Sequence, residues 1–231
     1  MNLPVITLMF DDGFSEVYHD ALPMLEDFGY TANVAVSGSK INGDGYLTIE
    51  QVKELLSKGW GLSDHSYSHA NFRKMDVGAV EREISDNRKF VKDLFCYELN
   101  DFVFPKSKLS PSSLSLVLSY YPTVFTGTTE ITGNTLPFRH RLLKRVEIST
   151  YETFLYGLRF LSFTRKLQSY LKTLASERRV EWLILFTHKV TDRPGLFDAS
   201  KKQFGIVLNA IAAADVPVLT TGEVMRVFNE C

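Results

Sequence analysis

Cysteine is nearly absent: Cys96 and Cys231 are the only two in 231 residues. Two thiols cannot build a framework of bridges, so the fold has to rest on an apolar core. They read as unpaired thiols of a reducing compartment. No apolar run is long enough to span a bilayer. No basic stretch followed by an apolar one opens the chain, and the first strand-like run starts at Val5. These absences predict a cytoplasmic protein, although a chain shortened by removal of a leader would read the same. A dominant charge of one sign is missing too: the formal net charge is -1, which gives no general pull toward nucleic acid or an anionic membrane. Internal repeats, low-complexity tracts and linkers are lacking, which predicts a single domain over residues 1–231.

What is present is ordinary globular material, with 45% hydrophobic and 23% charged residues. Short apolar runs predict strands at Val5–Phe10, Ala32–Val36, Gly61–Ser63, Phe102–Phe104, Thr123–Phe125, Arg145–Ile148, Trp182–Phe186 and Val216–Thr220. Amphipathic stretches between them predict helices. Ser15–Phe28 is capped by its serine and closed before Gly29, and Thr48–Lys58 is capped by its threonine and closed before Gly59. Asp76–Leu94, Pro111–Ser119, Tyr151–Glu177 and Ala199–Ala214 follow the same pattern. Strand then helix, repeated about seven times, predicts an α/β fold with mostly parallel strands. In such folds the active site gathers at the carboxyl ends of the strands.

Three predicted strands end in residues that carry chemistry. The first runs into Asp11-Asp12-Gly13. Two adjacent carboxylates at the end of a buried strand are expensive unless a cation neutralises them, though such a pair also caps helices. After Gly61–Ser63 come His65 and His69, four apart, a spacing that lets both rings share one ion on a helical turn. Ser66 stands where a zinc peptidase would carry its glutamate, so a general base must come from elsewhere. The third strand, Trp182–Phe186, leads through Thr187 to His188. Each is unremarkable alone; together they suggest a metal site with acid/base groups.

The segments Phe10-Asp11-Asp12-Gly13, His65-Ser66-Tyr67-Ser68-His69 and Leu185-Phe186-Thr187-His188, in this order, resemble the motifs of the polysaccharide deacetylase family (carbohydrate esterase family 4, the NodB homology domain). The resemblance runs from Val5 to Thr220-Thr221-Gly222-Glu223. It implies a distorted (β/α) barrel of about seven parallel strands. It also implies that Asp12, His65 and His69 bind one divalent metal, usually zinc, with Asp11 as general base and His188 as general acid. The same donor set suits Mn, Co or Ni. The implied reaction is hydrolysis of an acetyl group from an N-acetylated or O-acetylated sugar or glycan precursor.

The chain departs from the family at two motifs. Phe104-Pro105-Lys106-Ser107-Lys108 keeps the proline of the third motif but lacks the aromatic residue and glycine that follow it. Pro105 and the Lys106 backbone N–H are the expected substrate and oxyanion contacts there. The Asp-Trp pair of the fourth motif is absent. Leu143–Ile148 resembles the later segment that supplies a base-orienting arginine in some branches, making Arg145 the candidate; a surface arginine beside a strand is the alternative. Phe186 stands where a leucine usually lines the acetyl pocket, which predicts a site limited to short acyl groups. Lys106 and Lys108 are either solvated cations or contacts for a phosphate or uronate on the substrate.

The stretch Tyr151–Arg179, with Phe154, Tyr156, Phe160, Phe163, Arg165, Lys166 and Lys172, reads as a covered barrel helix rather than a membrane-surface helix. Membrane association and nucleic-acid binding are therefore not expected, and the sequence sets no oligomeric state. Two other readings compete: a metal-dependent amidase on a non-sugar substrate, and a catalytically silent sugar-binding relative.

Overall fold

The computed structural model describes residues 4–138, 141–149, 157–177 and 180–229, with the backbone alone at 157–162. Its strands are β1 (Val5–Asp11), β2 (Asn33–Val36), β3 (Gly61–Asp64), β4 (Asp101–Val103), β5 (Thr123–Thr128), β6 (Asn134–Thr135), β7 (Arg141–Glu147) and β8 (Glu181–Thr187). Seven of them pair in the order β1-β2-β3-β4-β5-β7-β8, and β8 returns to β1. All of these pairings are parallel, so the sheet closes into the expected barrel with every carboxyl end at one rim.

The barrel is distorted in two places. β7 meets β8 only at Val146–Leu185 and Glu147–Phe186. Below that contact the gap is filled by β6, antiparallel to β8. The Asn134 amide spans it, donating to Lys144 O at 2.9 Å and Trp182 O at 3.1 Å. The second gap lies between β1 and β2, which pair only from Met9 and Asn33 onward.

That second gap explains why the strand predicted at Val216–Thr220 does not form. β8 occupies one edge of β1 and β2 takes the upper part of the other, leaving Ile6. Ile6 donates its N–H to Pro217 O, and its carbonyl accepts from Leu219 N–H, both at 2.9 Å. Pro217 has no N–H to extend the ladder, so the segment makes one isolated bridge between Ile6 and Val218.

Helices follow the predicted capping chemistry with one exception. Thr48 and Gln51 form a reciprocal capping box at the start of α2 (Ile49–Ser57), after the short α1 (Leu22–Glu26). Asp76 accepts from Ala79 N at the head of α3 (Val77–Phe95). Ser110 and Ser200 cap α4 (Pro111–Tyr120) and, beyond α5 (Gly157–Glu177), α6 (Lys201–Ala214). Ser15 is the exception. Its hydroxyl turns to Glu16 Oε2 at 3.3 Å, because the next residues wind into a π-helical turn, Val17–Ala21, that runs into α1. The Phe14 and Ser15 carbonyls already accept from Val17, Tyr18 and His19 N–H, so no side-chain cap is needed.

Alternation along each strand sorts the core into two layers. Ile6, Leu8 and Phe10 of β1 pack outward under the helices with Val34, Leu62, Phe102 and Leu183. Val5 and Met9 face inward with Ala35, Val103, Phe125, Trp182, Ile184 and Phe186. α7 (Thr221–Asn229) brings Val224 and Phe228 into that inner cluster. Phe138 joins them, with ring centroids 5.2 Å from Trp182 and 5.3 Å from Phe228. Thr221 anchors the helix, its N–H donating to Asn33 Oδ1 at 2.9 Å.

α5 belongs to the covered layer, as expected: Leu167, Leu171 and Leu174 are buried in the outer core and Phe163 packs against it. Tyr151, Phe154, Tyr156 and Arg179 lie outside the described residues, as does Cys231, and so does the side chain of Phe160. No helix among the described residues is long and apolar enough to cross a membrane. Cys96 is exposed and unbonded.

Candidate active site

Asp11 and Asp12 are adjacent in sequence but turned apart by the backbone. Asp11 ends β1 on its inward face. Asp12 takes the left-handed conformation at φ 74° and Gly13 follows at φ 73°. An aspartate tolerates that region because its short polar side chain bonds locally, and a glycine adopts it without steric cost. The turn swings Asp12 toward the end of β3.

There His65 and His69 wait on a loop rather than on the predicted helical turn. Ser66 and His69 both have positive φ, 61° and 58°, which breaks helical winding yet brings the rings to a centroid distance of 4.9 Å. The loop is held by its own polar groups. Ser66 N–H donates to Asp64 Oδ1 at 2.8 Å and Ala70 N–H to Ser66 Oγ at 3.1 Å. Ser68 is fastened to Glu83 of α3 through both its N–H and its hydroxyl. The Asp64 carboxylate also accepts from Asn87 and Tyr121. Burial pushes Asp64 up to about 7, against the pull of those donors.

One ligand atom from each of Asp12, His65 and His69 lies within 4.8 Å of the others. Asp12 Oδ1 is 3.1 Å from His69 Nε2 and 3.8 Å from His65 Nε2. His65 Nδ1 meets Val103 O at 2.7 Å. That contact requires a proton on Nδ1 and leaves the Nε2 lone pair facing the carboxylate, as in imidazoles that ligate metals. Burial depresses His65, and it takes His69 down to about 4 with help from His65 beside it. Both rings are therefore neutral at neutral pH, the state that coordinates a metal. Burial disfavours the Asp12 anion, but the facing histidines and the Lys40 ammonium outweigh it and lower its pKa. The three residues fit a divalent cation in donor type, protonation and spacing.

Arg145 is not a surface residue. It is 1% exposed, inside the barrel, and grips Asp11 bidentately: Nη1 to Oδ1 at 2.7 Å and Nη2 to Oδ2 at 2.9 Å. Burial alone would raise the Asp11 pKa. The guanidinium, with smaller help from His65 and His188, holds the carboxyl far below the usual range. Phe186 covers the guanidinium, 4.1 Å from ring centroid to Cζ.

A cavity of about 630 Å³ joins these groups and is lined by Asp11, Asp12, His65, His69, Phe186 and His188, among others. His188 Nδ1 meets Phe197 O at 3.1 Å, which puts the proton on Nδ1 and leaves Nε2 unengaged among the described residues. Lys106 also lines this space, at φ 57°. Pro105, buried just before it, is not among the lining residues. Of the residues named from the sequence, Asp11, Asp12, His65, His69, Lys106, Lys108, Phe186 and His188 line the cavity, while Pro105 and Arg145 do not.

Sequence reading missed two. Lys40 Nζ lies 2.8 Å from Asp12 Oδ1, and no motif marked it, although it follows β2 at the active rim. Glu147 lines the cavity. Its Oε1 is buried without a partner, and burial raises its pKa. Strand alternation would have found it, since it stands two residues after Arg145 on the same face of β7.

Comparison with known proteins agrees with this architecture. The family model described as Polysaccharide deacetylase matches residues 1–121, just over half the chain. The putative polysaccharide deacetylase YxkH of Bacillus subtilis (strain 168) is 26% identical over 109 residues, which are 47% of this chain and only 39% of that relative. Among solved structures, the Xyl-CE4 domain of a multidomain xylanase from the hindgut metagenome of Trinervitermes trinervoides superposes with a TM-score of 0.63 at 16% identity, over 98% of this chain and 92% of that one. The family 4 acetyl xylan esterase of Clostridium thermocellum, solved with a cobalt ion, gives 0.63 at 17% identity, over 96% and 91%. At these identities the two structures speak to the fold, while the family match rests on sequence. The chain belongs to the polysaccharide deacetylase family.

Proposed function

We propose that this protein is a metal-dependent hydrolase that removes an acetyl group from an N-acetylated or O-acetylated sugar or glycan precursor. The observation that carries the reading is the meeting, in one cavity, of the Asp12-His65-His69 trio, an Asp11 clamped by buried Arg145, and His188. A divalent ion held by the trio, zinc first and Mn, Co or Ni by the same donor chemistry, would supply Lewis acidity, polarising the acyl carbonyl and making water a stronger nucleophile at neutral pH.

The chain's own groups divide the remaining work. Asp11 stays ionised and accepts the proton of the attacking water through lone pairs that the Arg145 fork leaves open. Arg145 fixes the plane of that carboxylate. His188, its Nδ1–H held by the Phe197 carbonyl, acts as the acid in its doubly protonated form, giving the Nε2 proton to the departing nitrogen or oxygen, neither of which leaves readily as an anion. The Lys106 N–H serves as a donor to the acyl oxygen, with Pro105 setting the turn before it. Phe186 closes the space beyond the acyl methyl.

The test is acetate release from a panel of acetylated sugars, with chelated and metal-restored protein and Asp11→Asn as the blank. Metal-dependent acetate that disappears in the variant supports the reading. A tightly bound metal with no acetate from any sugar shifts it to the non-sugar amidase, and no turnover of any amide to the silent relative.

A further inference from the structure

We propose that the sugar taken by this site carries an anionic substituent, a phosphate or a carboxylate, held by Lys106 and Lys108. The inference deepens the deacetylase reading and rests on it for the identity of the ligand as a sugar.

Five cationic side chains meet at or just beneath the cavity, and three are already paired. Arg145 is bound to Asp11 and Lys40 to Asp12. Lys189 lies 3.3 Å from Glu16 and 4.2 Å from the centroid of the Phe14 ring. Lys106 and Lys108 also line the cavity, are exposed, and make no ion pair among the described residues. The carboxylates that could answer them are committed elsewhere. Asp11 and Asp12 hold the partners just named, and Asp198 accepts from Gly195 N–H at 2.8 Å. Glu147 keeps its free oxygen buried. The facing rim is apolar, with Leu196 61% and Phe197 54% exposed.

The turn that carries the two lysines is fixed. They flank Ser107, and Ser107 Oγ accepts from Gly127 N–H at 2.9 Å. Ser107 N–H donates to Phe104 O and Lys108 N–H to Pro105 O, each at 3.0 Å. A Cβ on Gly127 would lie 2.9 Å from that Ser107 oxygen, so the glycine is what lets β5 hold the turn this closely. Both stems therefore rise from fixed backbone beside the reacting groups. With a net charge of -1 on the whole chain, any attraction for anions is a local property of this turn. Ammonium groups are point charges without the directional fork of arginine, so phosphate and carboxylate are the same ligand class here.

Deacetylated sugars do not turn over and report binding alone. Glucosamine, glucosamine 1-phosphate and muramic acid are titrated calorimetrically into the metal-loaded protein and into a Lys106→Gln/Lys108→Gln double variant. The anionic sugars are expected to bind on the order of 10-fold tighter than glucosamine at low salt, with the preference shrinking at high salt and disappearing in the double variant. Preference for phosphate alone, or for both anions, identifies the substituent. Equal binding of all three sugars, no binding of either anion, or a preference that survives in the double variant overturns the proposal, the last because another group then holds the anion. Acetate release is read separately on wild-type protein. Its absence refutes the deacetylase reading while the titration still decides the role of the lysines.

Discussion

Asp11 and Arg145 form a bidentate pair across the barrel interior, 2.7 and 2.9 Å between partnered atoms, from strands that are not neighbours. Both side chains are buried, at 4% and 1% exposure, so neither charge has water to fall back on. Removing the arginine strands the carboxylate, and breaking a buried pair in this way costs about 3–5 kcal/mol. Arg145→Ala should therefore lower the melting temperature as well as turnover, the latter on the order of 100-fold. Arg145→Lys restores the charge without the fork. It should recover most of the melting temperature but not the turnover, with metal content equal to wild type in both variants. Unchanged turnover in the alanine variant would remove Arg145 from the mechanism.

Lys40 shares Asp12 Oδ1 with the histidines at 2.8 Å, where its ammonium competes with any cation for the same oxygen. Lys40→Met keeps the stem and removes the charge, so metal affinity should rise about 10-fold, the equivalent of about 1.4 kcal/mol. Competition against a chromophoric chelator measures this directly. Weaker metal binding in the variant would show that Lys40 instead positions Asp12 for the ion.

Asp101 has a different problem. It is buried in the barrel with Thr221 donating to Oδ2, while Oδ1 has no partner. Burial raises its pKa from 3.8 to about 6 despite the donors Ser63 and Thr221 and the Arg145 charge. A folded pKa above the unfolded one means that the native state holds a proton the unfolded chain releases. The contribution is thus most favourable below pH 4 and is lost as pH rises through about 6, by about 3 kcal/mol in all. Asp101→Asn lacks this titration. Thermal melts of chelated protein from pH 4 to pH 7 should show the variant gaining on wild type over that interval. Parallel curves would mean that the carboxylate is ionised throughout.

The outline of the fold and the centre of the site were legible for the same reason: both are written in short-range pattern. The seven barrel strands show as apolar runs, and Thr48, Asp76, Ser110 and Ser200 mark helix starts by local capping chemistry. Asp11, Asp12, His65, His69 and His188 stand at strand ends, where a parallel barrel collects function. What stayed hidden depends on closure. Nothing near Val216 says that its one bridge among the described residues is made to Ile6. The burial of Arg145 follows from its inward place on β7 against the Phe186 ring of β8, a contact between segments far apart in sequence. The histidine loop looked helical because i,i+4 spacing is shared by helices and by loops with two left-handed residues.

Phe186 sets the last expectation. Its ring stacks on the Arg145 guanidinium, and its Cζ lies 3.0 Å from where a Cβ on Gly127 would stand. It is 5% exposed, so there is little slack behind it for a longer acyl chain. One extra methylene against such a wall is worth roughly 10–200-fold in kcat/KM. Wild-type protein should therefore prefer acetyl over propionyl sugars by at least about 10-fold. Phe186→Leu should narrow that ratio by opening the wall, while slowing acetyl turnover because the guanidinium loses its cover and Asp11 its fixed plane. The ratio separates the two roles. A variant slowed equally on both acyl groups would leave Phe186 as support for Arg145 alone, and equal wild-type rates on acetyl and propionyl sugars would show that the acyl group sits elsewhere in the cavity.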